Sequence, residues 1–439
     1  MLDIAYIRDN PEIVKKAVTD KKFSNRVDVD RLLELDAQLL PIKIELNDVR
    51  QKRNELDKKI KFTKDLKERQ QLIDENTRLK TRLKSVEVDY VKLNEQFEKM
   101  MLLLPNVTSP KMPVGKDENE NTVIRKWGTI PKFSFAPRNH IELGKRLNII
   151  DVEKSSEVSG ARFYYLKNEA VRMQFAIIQI VFQILSDTST LKSLADKTNN
   201  PFSNAFVPVI PPVMIKPEIM RKMDRLDPIE ERYELKKDDL ILVGSAEHTL
   251  GPMHMNETFA YDDLPKRYIG YSTAFRREAG SYGKDMQGIL RVHQFDKLEM
   301  ESFVPAEYGE VEQDFIVAIQ EYLVQQLGLP YQVIQICTGD TGKPDYNQYD
   351  IECWIPSQNK YRETHTSDYM TDYQSRRLNI RYIDNDKNKK LVHMNDATAF
   401  AISRILIAIL ENFQQEDGSV LIPKVLQPLC GFDKISNIQ

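Results

Sequence analysis

Cysteine is scarce in this 439-residue chain: Cys337, Cys353 and Cys430 are odd in number and lie far apart. Such a set builds neither a disulfide framework nor a zinc site, and it fits core thiols in a reducing, cytoplasm-like compartment. Neither GxxxxGK[ST] nor GxGxxG occurs, which argues against a P-loop or a Rossmann dinucleotide site. Acids stand near the N-terminus where a secretory leader is basic and then apolar. The longest apolar run, Met173–Leu185, is short and broken by glutamines, so no membrane span is expected. A basic surplus is also missing: the net charge of −3 gives no hint of nucleic acid by itself, DNA included. Internal repeats and low-complexity tracts are absent as well.

What is present is ample apolar material, 41% of residues, with 29% charged. That suffices for a large core and suggests two or three domains. The charge is unevenly spread. Between Lys43 and Lys84 there are 14 Lys/Arg against 8 Asp/Glu. Residues 1–26 read as a short helical cap, and Asp28 or Asp30 can then cap a long helix. Leu32, Leu35, Leu39, Ile42, Leu46, Val49, Leu56 and Ile60 follow alternating steps of three and four, with Arg53 in the one polar slot. A second series runs from Leu72 through Asn76, Leu79, Leu83, Val86, Tyr90, Leu93, Phe97 and Met100 to Leu104. A short connection near Phe62–Glu68 forces the two helices to pair antiparallel, as an arm of about 30 residues per helix. Pro41 should bend the first or cost it a hydrogen bond.

Residues 105–130 are rich in Pro, Asn, Gly and acids, lack periodicity, and read as a linker after an N-terminal domain of residues 1–104. From residue 131 to 439, helix and strand signals alternate with several hairpins and no evenly spaced βαβ units, which indicates an α+β domain.

Within it, Phe275–Glu299 reads as two strands around a glycine-bearing loop, and Arg276, Glu278, Arg291, His293, Lys297 and Glu299 crowd onto those strands. Arginines so placed want phosphate or carboxylate. The stretch resembles motif 2 of the class II aminoacyl-tRNA synthetases, in the form found in the seryl-tRNA synthetases, with motif 2 at about 271–299. The resemblance extends along the chain. Gly160–Leu166, the apolar helix Ala170–Leu185 and Phe206–Met214 resemble the segment containing motif 1 (about 170–214), which in that class builds a dimer interface. Ala399–Glu411 resembles motif 3 (about 396–411).

This resemblance implies a homodimeric ligase that forms seryl-adenylate from L-serine and ATP with Mg²⁺, then Ser-tRNA(Ser). The fold it implies is an antiparallel sheet flanked by helices, preceded by a coiled-coil arm that grips tRNA. Its catalytic set falls on Arg276, Glu299 and Arg404. Arg276 would bridge the α-phosphate and the amino-acid carboxylate, Phe295 would stack on adenine from one side, and Arg404 would cover the other. Glu278, Arg277, Val292, Thr364, His365 and Thr366 join the ATP set. Glu363 would contact ATP and its Mg²⁺. Serine would be read by Ser245, Ala246, Glu247, Arg276, Glu299, Asp396 and Thr398. Lys52, Arg53, Lys58, Lys59, Arg78, Arg82 and Lys84 are the arm's candidate phosphate contacts.

The chain departs from that pattern at Gly283–Gly288, where the motif 2 loop lacks a threonine and an arginine and carries Gln287. It departs again at Asp368-Tyr369-Met370, which replace a Ser-Asn-Cys run, and at Asn395-Asp396-Ala397, which replace Leu-Asn-Gly. The last change puts an extra acceptor and negative charge beside the substrate. These changes motivate a second reading, a synthetase-derived paralogue that binds tRNA through its arm with weak, altered or no aminoacylation. A third, activation of another small amino acid or transfer to a carrier protein, sits poorly with the long arm.

Overall fold

The computed structural model describes residues 1–279 and 288–436. It divides into two compact units, Met1–Val107 and the chain from Thr108 onward.

In the first unit, α1 (Ile4–Asp9) and α2 (Pro11–Asp20) precede two long helices, α3 (Val29–Phe62) and α4 (Leu66–Leu103). Both start where the sequence supplies an acceptor. The Asp28 carboxylate accepts from the Arg31 N–H, and Asp65 from the Glu68 N–H. At 34 and 38 residues, or about 51 and 57 Å at the usual rise, the helices exceed the length expected from the heptads. Leu46, Val49, Leu83 and Val86 form the buried seam, with Ile42, Leu79 and Tyr90 packed against it. Arg53 is half-buried in its polar slot, and Asn76 donates to Asp57 at 2.6 Å from the opposite helix. Pro41 lies inside α3, which continues through it to Phe62 with one N–H fewer to donate.

The second unit is organised on an eight-stranded sheet. Its strands are β1 (Thr122–Trp127), β2 (Val207–Val209), β3 (Lys266–Phe275), β4 (Gln294–Val304), β5 (Tyr331–Gln335), β6 (Asn347–Ile355), β7 (Lys360–Thr371) and β8 (His393–Ala401). Their spatial order is β1-β5-β6-β7-β8-β4-β3-β2. All pairs are antiparallel except β2 with β3. The segment expected to be an aperiodic linker therefore also supplies an edge strand, β1, with all six residues exposed.

Three helices position the sheet: α5 (Asn168–Ser186), α6 (Gly309–Leu327) and α7 (Ile402–Asn412). By length and composition α5 could cross a membrane, although its run looked too short in the sequence. Its Met173, Ala176, Ile177, Val181 and Leu185 instead belong to the main core cluster. Helix α6 is tied to the sheet by polar contacts. The Arg267 fork donates to Glu312 at 2.7 and 2.6 Å, with both side chains fully buried. Gln320 donates to the carbonyls of Thr366 and Thr398. These matched contacts of Arg267, Glu312 and Gln320 fix the register of helix on sheet.

Candidate active site

Alternation along β4 places Phe295, Lys297, Glu299 and Glu301 on one face, while Leu298 and Met300 point into the core. In register beside Glu299 lies Thr398 of β8, and beside Glu301 lies Asp396. The face bearing these side chains carries the cavity, and Arg276 and Arg404 both line it, together with Glu278, Val292, Phe295, Lys297, Glu363, Thr364, Thr366 and Thr398.

Arg276 follows β3 directly. Its backbone N–H donates to His293 and its Nε to the Gly244 carbonyl at 3.0 Å, which sets the guanidinium 5.5 Å from the Phe295 ring centre. Arg404, in the first turn of α7, donates to the Glu363 carboxylate at 2.7 Å and to its carbonyl at 3.1 Å. Glu278 adopts a left-handed backbone (φ +52°) and lies 3.5 Å from Arg291. A second, wider cavity of about 460 Å³ shares Leu290, Arg291, Glu363 and Arg404 and is lined further by Asp350, Glu352 and Arg362. Two positively charged forks thus face an open space bordered by carboxylates, the layout needed to hold a polyanion beside a cation.

Deeper in, Lys297 pairs with Glu299 at 2.6 Å and donates to the Ser245 hydroxyl at 3.1 Å. Burial pushes the Glu299 carboxyl up to about 7; Lys297 opposes this and the charge of Glu247 adds to it. Glu247 opens the short helix Glu247–Leu250. Burial would raise its carboxyl too, but Arg225 and Lys297 hold it at about 2. Ala246 is fully buried among Leu250 and Tyr268 and offers no side-chain chemistry.

Two expectations need correction. His365 does not reach the cavity. A one-residue bulge at Thr364, between the Ile351–His365 and Glu352–Glu363 pairs, puts Glu363 and Thr366 on the cavity face and turns His365 inward. There it is 1% exposed, 5.3 Å from the Phe400 ring, and burial pushes its imidazole down to about 3. Arg277 also points elsewhere, over the Tyr233 ring at 5.7 Å. Gly283–Gln287 of the motif 2 loop fall outside the described residues. Lys297, singled out in the sequence only as one of the charges on these strands, takes a place in the site, and other residues went unrecognised. Glu301 was legible from the same alternation that marks Phe295 and Glu299. Arg225 was not, because nothing around Lys222–Asp227 sets it apart.

In the arm, Lys52, Lys58, Lys59, Arg78, Arg82 and Lys84 are exposed, and Arg53 is half-buried. Arg82 pairs with Glu45 across the helices, and Arg53 approaches Asp57 at 3.9 Å.

An antiparallel sheet carrying one arginine beside its central hairpin and another at the start of a core helix defines a class II synthetase core. The family model described as the tRNA synthetase class II core domain (G, H, P, S and T) matches residues 230–413, and that of the seryl-tRNA synthetase N-terminal domain matches residues 1–108. The chain belongs to the seryl-tRNA synthetase family. It is 39% identical over 438 residues, 99% of each chain, to a serine–tRNA ligase of Dictyoglomus turgidum. Among solved structures it matches the seryl-tRNA synthetase of Pyrococcus horikoshii complexed with ATP, with TM-score 0.88, 37% identity and 100% of each chain covered. It also matches a cytoplasmic serine–tRNA ligase of Naegleria fowleri in complex with AMP, with TM-score 0.83, 27% identity, and 100% of this chain and 99% of that one covered.

Proposed function

We propose that this protein is an ATP-dependent serine–tRNA ligase whose chemistry rests on Arg276 and Arg404 converging on one cavity. In the first step the serine carboxylate attacks the α-phosphorus of ATP, the bond to the β-phosphate oxygen breaks, and pyrophosphate leaves. In the second, a terminal tRNA(Ser) hydroxyl attacks the acyl carbon and AMP leaves with the bonding pair. No covalent enzyme intermediate is needed. The protein's task is to hold two repelling anions in line and to spread the charge that develops on the α-phosphate.

Arg276 faces that phosphate and the serine carboxylate, with adenine between Phe295 and Arg404, and Glu278 at the purine end. Glu247 and Glu299 accept from the serine ammonium and hydroxyl, and Thr398 lies next to Glu299 on the same face. A Mg²⁺ ion fits the outer cavity. Glu363, Glu352 and Asp350 offer hard oxygen donors there, and burial together with the Glu363 charge pushes the Asp350 carboxyl well above its ordinary value. With ATP bound, Glu363 would hold that ion, which would offset phosphate charge.

Homodimerisation is read from motif 1, where Phe175 of α5 and Ile210 beyond β2 stand exposed, at 57% and 81%. A cytoplasmic location is read from three free, buried cysteines. The paralogue reading finds no support in the comparisons, which match ligases along their whole length.

The test is ATP–pyrophosphate exchange with purified protein across all amino acids. Serine should drive exchange; none with serine would sink the proposal. A pH profile adds a second check. An ionised Glu299 accepts from serine more strongly than a neutral one, so the KM for serine should fall as pH rises through about 7, and Glu299→Gln should flatten that dependence while raising the KM. The stability effect has the opposite sign. Between its ordinary 4.5 and about 7 the native carboxyl keeps a proton that the unfolded chain releases, so the contribution to stability declines as pH rises through that window.

A further inference from the structure

Arg225 belongs to no synthetase motif in this chain, yet its guanidinium reaches four carboxylates. Nε lies 3.1 Å from Glu247, and Nη2 lies 3.0 Å from Asp396, 3.7 Å from Asp368 and 3.8 Å from Asp345. Asp396 and Asp368 sit directly opposite each other on β8 and β7, and Glu301 is in register with Asp396 on β4. Glu301 is fully buried, and among the described residues neither of its carboxyl oxygens has a hydrogen-bond partner. One guanidinium therefore stands among more acid than it can neutralise. Burial and the mutual proximity of the acids push the Asp396, Asp368 and Glu301 carboxyls far above their ordinary values, while Glu247 is held low. The charge of Arg225 is thereby left for Glu247, and its second nitrogen ties that pair to β8.

We propose that Arg225 is a positioning residue for serine recognition: its fork spans from Glu247 to Asp396 and fixes the Glu247 carboxylate where the substrate ammonium is read. The inference rests on the proposed function. The planar fork suits this place because Nη2 donates to Asp396 on strand β8 while Nε lies in ion-pair range of Glu247 on the short helix, outside hydrogen-bond geometry, and an ammonium has no second charged edge to reach both elements at once.

The experiment is serine-dependent pyrophosphate exchange with Arg225→Gln, varying serine and ATP separately, alongside thermal melting. Arg225→Gln should raise the KM for serine about ten-fold or more, with kcat and the KM for ATP within about two-fold of the parent. Arg225→Lys, which keeps the charge and loses the fork, should raise the serine KM by a smaller factor and serves where the glutamine variant does not fold. An unchanged serine KM in the folded variant overturns the inference. So does a fall in kcat alone, or a parallel rise in the KM for serine and for ATP. Lack of serine-dependent exchange in the parent protein overturns the functional reading itself, which separates the two failures.

Discussion

Arg276→Ala should lower kcat/KM for serine-dependent pyrophosphate exchange by about 10³-fold, the scale of losing one preorganised charge donor at a transition state. Among the described residues this side chain makes a single hydrogen bond, to the Gly244 carbonyl, and one ring contact, with Phe295. Its removal should therefore leave the fold intact, with a thermal midpoint close to that of the parent. The loss should appear in kcat as well as in KM, because the developing phosphate charge meets the guanidinium most strongly in the transition state. Arg276→Lys should fall between the two, since an ammonium retains charge without the two-pronged geometry that joins phosphate and carboxylate. Exchange within about three-fold of the parent for the alanine variant would show that the α-phosphate is held elsewhere.

The same arginine shows how much of the site the sequence disclosed. Period-two alternation along 294–304 was enough to place Phe295, Lys297 and Glu299 on one face, because a central strand leaves each side chain only two directions. The helical hairpin was legible for a similar reason, since a heptad repeat admits one antiparallel pairing across a short turn. The reading failed where a local irregularity breaks the period. One extra residue, Thr364, carries His365 to the opposite face, and no feature of Glu363–Thr366 announces a bulge. Arg225 was invisible for a different reason. Its role comes from four acids far apart in sequence, on two strands, a helix and a loop, so only the folded chain makes the cluster. Both misses fall on or against the sheet that carries the proposed site, where local rules yield to function.

The arm offers the second large effect. Lys52, Lys58, Lys59, Arg78 and Lys84 are exposed and, among the described residues, have no ion-pair partner, so their charge is available to phosphate. Replacing all five with glutamine should cut kcat/KM for tRNA(Ser) charging by about 10³-fold at moderate salt, and should lower the slope of log affinity against log salt by roughly one per lost contact. Pyrophosphate exchange should be unchanged, since none of the five lines the cavities proposed to hold ATP and serine. Arg82→Gln alone should do less than any of the five, because its guanidinium already pairs with Glu45 across the helices and would have to leave that partner to reach RNA. Filter binding of tRNA across a salt series, run beside exchange, separates the arm from the catalytic sheet. Equal salt slopes for the parent and the five-fold variant would mean that these side chains do not touch the RNA backbone. A simultaneous drop in exchange would mean that the substitutions had damaged the fold.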